Sequence, residues 1–418
     1  MWFLTRIPNA ALSSKFSLVL VFSLLKGALA WGEGLQSPQV SSRSVDFEKG
    51  EVPIVAHYEK GALLALCESQ LIQFDASLKN IENLKPRERS VEKTILAYER
   101  ASADLSRRLG PVLALSKLSP IESTRQESLV CEEKHTKLMS KVPFRRSLYL
   151  SFLGFRPQEP EARRLWKETL RGFEANGATL NGAARKRAQK LQEKLALLEN
   201  QYRNNVAQFN ETLRFSAADL KGVDLQPLSA FLKKEGHYEV PVKASYLRPL
   251  IENAEAWQTR QRSVESIWNL AQKSNIPILK QATEIRKELA VLYGQKSWFD
   301  HRTSNKMAQS EKNVRSFLQS LRRQLREALE GDLQQVRAAK KEHLRGTPLE
   351  NEELQIWDPP YYAEKLRQKL YQLDQNELKK FFPSEQVIAG VFQIYSRIFS
   401  VTFEELPQAE VWSPEVKA

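Results

Sequence analysis

Over residues 181–212 apolar side chains return every three or four positions: Ala184, Ala188, Leu191, Leu195, Leu198, Tyr202, Val206 and Phe209. At about 3.6 residues per turn they share one side of a helix, which at about 1.5 Å per residue is long enough to cross a whole domain. Such an element demands a helical partner, so the chain is expected to build a helical scaffold. The same spacing in Leu63, Leu66, Cys67, Phe74, Leu78 and Ile81 gives residues 60–82 an apolar face. Further helices are expected over 91–105, 121–140, 245–272, 276–293, 310–345, 360–374 and 383–398. Breaks are expected at Gly110-Pro111, Pro143, Pro157 to Pro160, Pro227, Gly346 to Pro348 and Pro359-Pro360. Strand signal is confined to Leu213–Ser216 and Tyr238–Lys243, a small ribbon between helical blocks. With 16 glycines in 418 residues, turn-rich β folds are disfavoured. The expected class is all-α with a minor β ribbon.

The first 30 residues read as an export signal. Arg6 and Lys15 precede an apolar run from Phe16 to Leu25, and Ala28-Leu29-Ala30 forms a small-x-small cleavage site before Trp31. The run is about ten residues, against the ~20 of a spanning helix, so no stable membrane anchor is expected after cleavage. Residues 31–48 are polar and read as a flexible lead-in. A helical region over 49–220, containing the long helix 181–212, and a second over 221–418 complete the expected organisation. The expected location is periplasmic or secreted. Export places Cys67 and Cys131, the two cysteines, in an oxidising compartment where a disulfide can form. The equal reading is two small buried hydrophobes.

The formal net charge is +13. Basic residues are dispersed, with the densest group at Arg185, Lys186, Arg187 and Lys190 on a helix that also carries acids. Neither a basic stripe with stacking aromatics nor a base-reading motif is present, and nucleic acid is excluded as a partner.

A family pattern emerges towards the C-terminus. Trp357-Asp358-Pro359-Pro360-Tyr361-Tyr362-Ala363-Glu364-Lys365-Leu366-Arg367 is followed by Phe381-Phe382-Pro383, by Val387, Gly390, Val391 and Phe392, by Ile398-Phe399, and by Val411-Trp412-Ser413-Pro414-Glu415-Val416. Upstream stand Asn176-Gly177-Ala178, Gln201-Tyr202 and Asn204-Asn205-Val206. Asn275, Ile278, Leu279, Arg286 and Glu288 to Ala290 come next, then Tyr293-Gly294, Lys306-Met307-Ala308, Val314, Phe317-Leu318 and Leu321. In order and spacing these resemble the thimet oligopeptidase / oligopeptidase A family of zinc peptidases from about residue 60 to 418. Ser413 stands where the family pattern has a His. The resemblance implies the N-terminal part of a two-lobed, mostly helical fold flanking a deep channel for short peptides. It also implies one zinc, held by H-E-x-x-H on a helix with a more distant Glu, the motif's own Glu acting as general base.

The five histidines, His57, His135, His237, His301 and His343, include no pair four residues apart. The family's zinc motif lies after the V-W-H-P-x-V-like segment, so the ligands are expected beyond Ala418. No catalytic residue and no metal ligand is assigned, and no cofactor is expected in this chain. Cys131 and His135, four apart, form half of a metal site at most, with no third ligand in view. Trp357, Tyr361 and Tyr362 are candidate peptide-channel aromatics, with core packing the favoured reading. The expected role is the N-terminal lobe and one channel wall of an exported oligopeptidase, inactive alone, with short peptides and a complementing zinc-lobe chain as partners. A non-enzymatic helical protein binding peptides or a partner, or the unstable product of an interrupted gene, are the alternatives. Residues 383–403 are apolar nearly all round, as in an element buried on several sides.

Overall fold

The computed structural model describes residues 56–372 and 375–418, which belong to two compact units, Lys60–Leu373 and Met1–Glu59 with Asp374–Ala418. The export signal and the lead-in fall outside the described residues. Among these the fold is helical apart from one two-stranded sheet, as the class expectation had it.

The larger unit begins with α1 (Ala62–Glu82), α2 (Ala97–Leu118) and α3 (Glu122–Met139). Leu63, Leu71, Phe74, Leu78 and Ile81 of α1 are buried at its periodic positions. Cys67 and Cys131 are joined by a disulfide that links α1 to α3. Both are fully buried. The expected break at Gly110-Pro111 does not occur, and α2 runs through Pro111. Proline removes one helical hydrogen bond and crowds the residue before it. Here that residue is Gly110, which has no Cβ to be crowded. Two helices not expected, α4 (Arg146–Leu153) and α5 (Pro160–Ala175), follow the α3 corner. They are tied together by the Trp166 indole, which donates to the Phe152 carbonyl at 2.8 Å.

The long helix is α6 (Gly182–Ala207). It stops short of residue 212 because the following backbone enters the ribbon. The Val242 N–H donates to the Glu211 carbonyl at 2.9 Å, and Thr212 is paired with Pro241. The ribbon is antiparallel, β1 (Thr212–Ser216) against β2 (His237–Pro241). Its inner side, with Phe215, Tyr238 and Val240, packs on Leu247 and Leu250 of α7 (Ala244–Asn253). The single helix expected over 245–272 is split into α7 and α8 (Trp257–Trp268). Tertiary partners compensate the break. The Glu255 N–H donates to the Lys221 carbonyl, and the Ala254 and Glu255 carbonyls accept from Arg260 Nη1, all at 2.9 Å.

Next, α9 (Gln272–Leu292) lies along α6. Ala188, Leu191, Leu195 and Leu198 meet Ile278, Ala282, Ile285 and Leu289 in one core. The short α10 (Trp298–Thr303) leads into α11 (Glu311–His343), whose first turn is capped by Ser310 accepting from the Asn313 N–H. The unit ends with α12 (Asp358–Tyr371), which carries Pro359 and Pro360 in its first turn, where a missing N–H costs nothing.

In the smaller unit α13 (Gln375–Lys380) precedes α14 (Ser384–Phe399). Phe392 stacks on Phe403 at 4.7 Å and Tyr395 on Phe399 at 5.6 Å. No residue of α14 is buried, and Ile394, Ile398 and Phe399 are exposed. The cover expected from its apolar composition is therefore not present among the described residues.

Candidate functional site

The W-D-x-x-Y-Y-like segment opens α12 and puts a carboxylate in the interior. Asp358 is 2% exposed, Arg260 of α8 3% and Lys340 of α11 6%. Asp358 Oδ1 accepts from Arg260 Nη2 at 3.2 Å, and Oδ2 accepts from Lys340 Nζ at 2.8 Å and from the Gln355 N–H at 3.0 Å. Lys340 also donates to the Glu353 carbonyl at 2.8 Å. Two cations and one anion are thus removed from water with nearly every hydrogen-bonding position used. Arg260 Nε is the exception and has no partner. A buried ion set of this kind fixes geometry more than it adds stability, because desolvation offsets the attraction. Here it locks three helices and the 353–355 and 254–255 turns into one arrangement.

Aromatic rings close the cluster. The Arg260 guanidinium lies 4.2 Å from the Tyr361 ring centroid, and Tyr361 meets Tyr362 edge-on at 5.0 Å. Both tyrosines are buried, at 1% and 2% exposure. Burial, with Asp358 and Tyr361 nearby, pushes the Tyr362 phenol up to about 12 against the opposing pull of Arg260. Its hydroxyl is 3.3 Å from His343 Nδ1. Desolvation, then the Lys365 and Arg260 cations, hold the imidazole below its ordinary value, with Glu255 opposing. Trp357 is half-buried and stacks on Trp257 at 6.4 Å and 18°. Of the three candidate channel aromatics, Trp357 therefore reaches solvent while Tyr361 and Tyr362 face inward. Trp257, missed in the sequence, is its exposed companion.

A second pair of motif stretches also comes together. Asn205 Nδ2 donates to Asn275 Oδ1 at 2.9 Å, and Asn275 Nδ2 to the Tyr202 carbonyl at 3.2 Å. Arg187 and Glu288 form a two-pronged pair, and Arg286 reaches Glu199 at 2.7 Å. These residues join α6 to α9 and carry no chemistry of their own.

The donors among the described residues do not fit a zinc ion. Among the described residues no three His, Cys, Asp or Glu side chains gather as a metal-holding group. Cys131 is committed to its disulfide, which removes the thiolate from the Cys131–His135 half-site. His301 packs against Tyr293 and Trp298 at 5.0 and 4.8 Å. No hydrolytic step can be assigned to these groups.

Residues 250–418 match the family model described as peptidase family M3. The chain is 25% identical over 366 residues to a thimet-like oligopeptidase of Dictyostelium discoideum, covering 84% of this chain and 54% of that protein. It is 30% identical over 265 residues to oligopeptidase A of Salmonella typhimurium, covering 59% and 38%. These likenesses support the thimet oligopeptidase / oligopeptidase A family as the one this chain resembles. A likeness to saccharolysin of Saccharomyces cerevisiae, 24% identical with 74% and 46% covered, agrees with that resemblance. The chain spans about half the length, or less, of these relatives. The motif residues that carried the resemblance, from Asn205 and Asn275 to Asp358, are thus mainly joints between helices of this chain.

Proposed function

We propose that this chain supplies the N-terminal helical lobe and one channel wall of an exported zinc oligopeptidase, and that hydrolysis depends on zinc ligands outside these 418 residues. The match of residues 250–418 to the peptidase family M3 model supports the reaction class. The observation that carries the division of labour is α11. This helix of 33 residues buries only Val336 and Lys340, near its C-terminal end. Phe317, Leu318, Leu325 and Leu329 are each more than half exposed. A face of that size is normally covered by another element. In this reading a complementing zinc-lobe chain, or a further segment, covers it, and short peptides run past Trp257 and Trp357. The signal-like N-terminus and the Cys67–Cys131 disulfide support export to an oxidising compartment. No described helix is long and apolar enough to cross a membrane.

A quenched fluorogenic peptide, incubated with the purified chain and zinc, tests this. The expected result is turnover at the level of the blank, unaffected by chelator. Zinc-dependent, chelator-sensitive cleavage by the chain alone would refute it. Direct readout of peptide binding by quenching of Trp257 and Trp357 separates the lobe reading from an unstable product.

A further inference from the structure

A cavity of about 430 Å³ opens between the start of α2, the corner after α3 and one side of α5. That volume is within the range of small-molecule sites. Its floor is apolar, with Val142 and Phe173 buried and Met139 and Leu165 beside them. Tyr98 forms a wall and is fixed edge-on against Phe152 and Phe173, with centroids 5.5 and 5.8 Å away. Burial raises the Tyr98 phenol, and the Glu99 carboxylate adds to the rise, so the wall is a neutral ring with a negative neighbour.

The charge lining the cavity has one sign. Glu99 and Glu168 contribute carboxylates, and no Lys or Arg is among the described lining residues. Glu168 pairs with Arg171 at 3.1 Å on the exposed side of α5, with both side chains more than half exposed. Glu99 has no ion pair among the described residues. A second, independent feature is Gly172. It lies inside α5, where glycine is unfavourable relative to alanine, and it lines the cavity. A Cβ there would meet nothing within 4 Å. Packing does not require a glycine at this position, and a side chain would project into open space.

We propose that this cavity binds a small organic cation. Its ammonium would be held by Glu99 and Glu168, and its phenyl- or alkyl-sized body would rest on Val142, Leu165 and Phe173. The site is built wholly from α2, α3, α5 and the corner between them, and it does not rest on the peptidase reading.

The chain has three methionines, so methyl-labelled methionine gives an almost assigned spectrum. Met139 reports on the cavity, and fully exposed Met307 serves as control. Phenethylammonium should move the Met139 signal saturably and leave Met307 in place. Phenethyl alcohol should bind on the order of 10-fold more weakly, and 3-phenylpropionate should not shift the signal. Glu99→Gln should weaken the ammonium about threefold. Gly172→Leu should abolish the shift with the melting temperature unchanged or raised. Leu165→Trp fills the same space from two turns earlier and serves if Gly172→Leu does not fold. A stationary Met139 signal, equal shifts with the alcohol, or wild-type binding by both filled variants would overturn the proposal.

Discussion

The helices α6 and α11 are both long and amphipathic, yet they differ in what covers them. In α6 the periodic positions Ala188, Leu191, Leu195 and Leu198 are buried against α9, with Arg187–Glu288 and Asn205–Asn275 fixing the register. In α11 the buried positions, Val336 and Lys340, fall in the last third beside the Asp358 cluster, while Phe317, Leu318, Leu325 and Leu329 face outward. An apolar stripe states that a helix has an inside. It does not state which element provides it.

Removing the anion that holds the covered end of α11 should have the largest effect. Asp358→Ala leaves Arg260 and Lys340 buried without a counter-charge, and denaturant unfolding should show a loss of about 5 kcal/mol, the upper end for a broken buried pair. Reduction, or a Cys67→Ser/Cys131→Ser double change, opens a link across 64 residues and should cost about 4 kcal/mol. Leu195→Ala, on the covered stripe of α6, should cost about 3 kcal/mol.

A smaller effect is expected from pH. Burial holds His135 and His301 below the ordinary 6.5, against a partial upward pull of Glu132 on His135 and with Arg302 adding to the drop at His301. The unfolded chain therefore binds these protons first. Stability should be full above about 6.5, decline as pH falls through that value, and stop declining on this account below the depressed folded values. His135→Phe should flatten that part of the profile in melting experiments. The smallest effect sharpens the contrast most. Leu325→Ala, on the open stripe of α11, should change stability by less than about 0.5 kcal/mol, where the same truncation in α6 is severe.

The helical class and the ribbon were legible because each rests on a local period. The α6 stripe holds at Ala188, Leu191, Leu195 and Leu198, whereas Tyr202 and Val206 are exposed and the helix ends at Ala207, before the backbone at Glu211 and Thr212 joins the ribbon. Helices α4 and α5 were missed because α4 lies between Pro143 and Pro157 and α5 opens on Pro160, all of which read as loop. Pro160 in fact starts a helix, and Gly110 lets Pro111 sit within one. The cluster was half legible. Asp358 and the two tyrosines stood in a recognisable segment, whereas Arg260 is 98 positions away and no local pattern marks it as their partner. The disulfide was open for the same reason, since pairing belongs to the tertiary arrangement of α1 and α3. The cavity at Tyr98 and Gly172 left no trace in the sequence, because it is made by three elements and by a side chain that is not there.

Zinc stoichiometry measured on the purified, dialysed chain bears most directly on the separation between scaffold and chemistry. With its histidines dispersed and Cys131 tied to Cys67, the chain should retain well under one equivalent after dialysis. One tightly held zinc per chain, removed only by strong chelator, would contradict it.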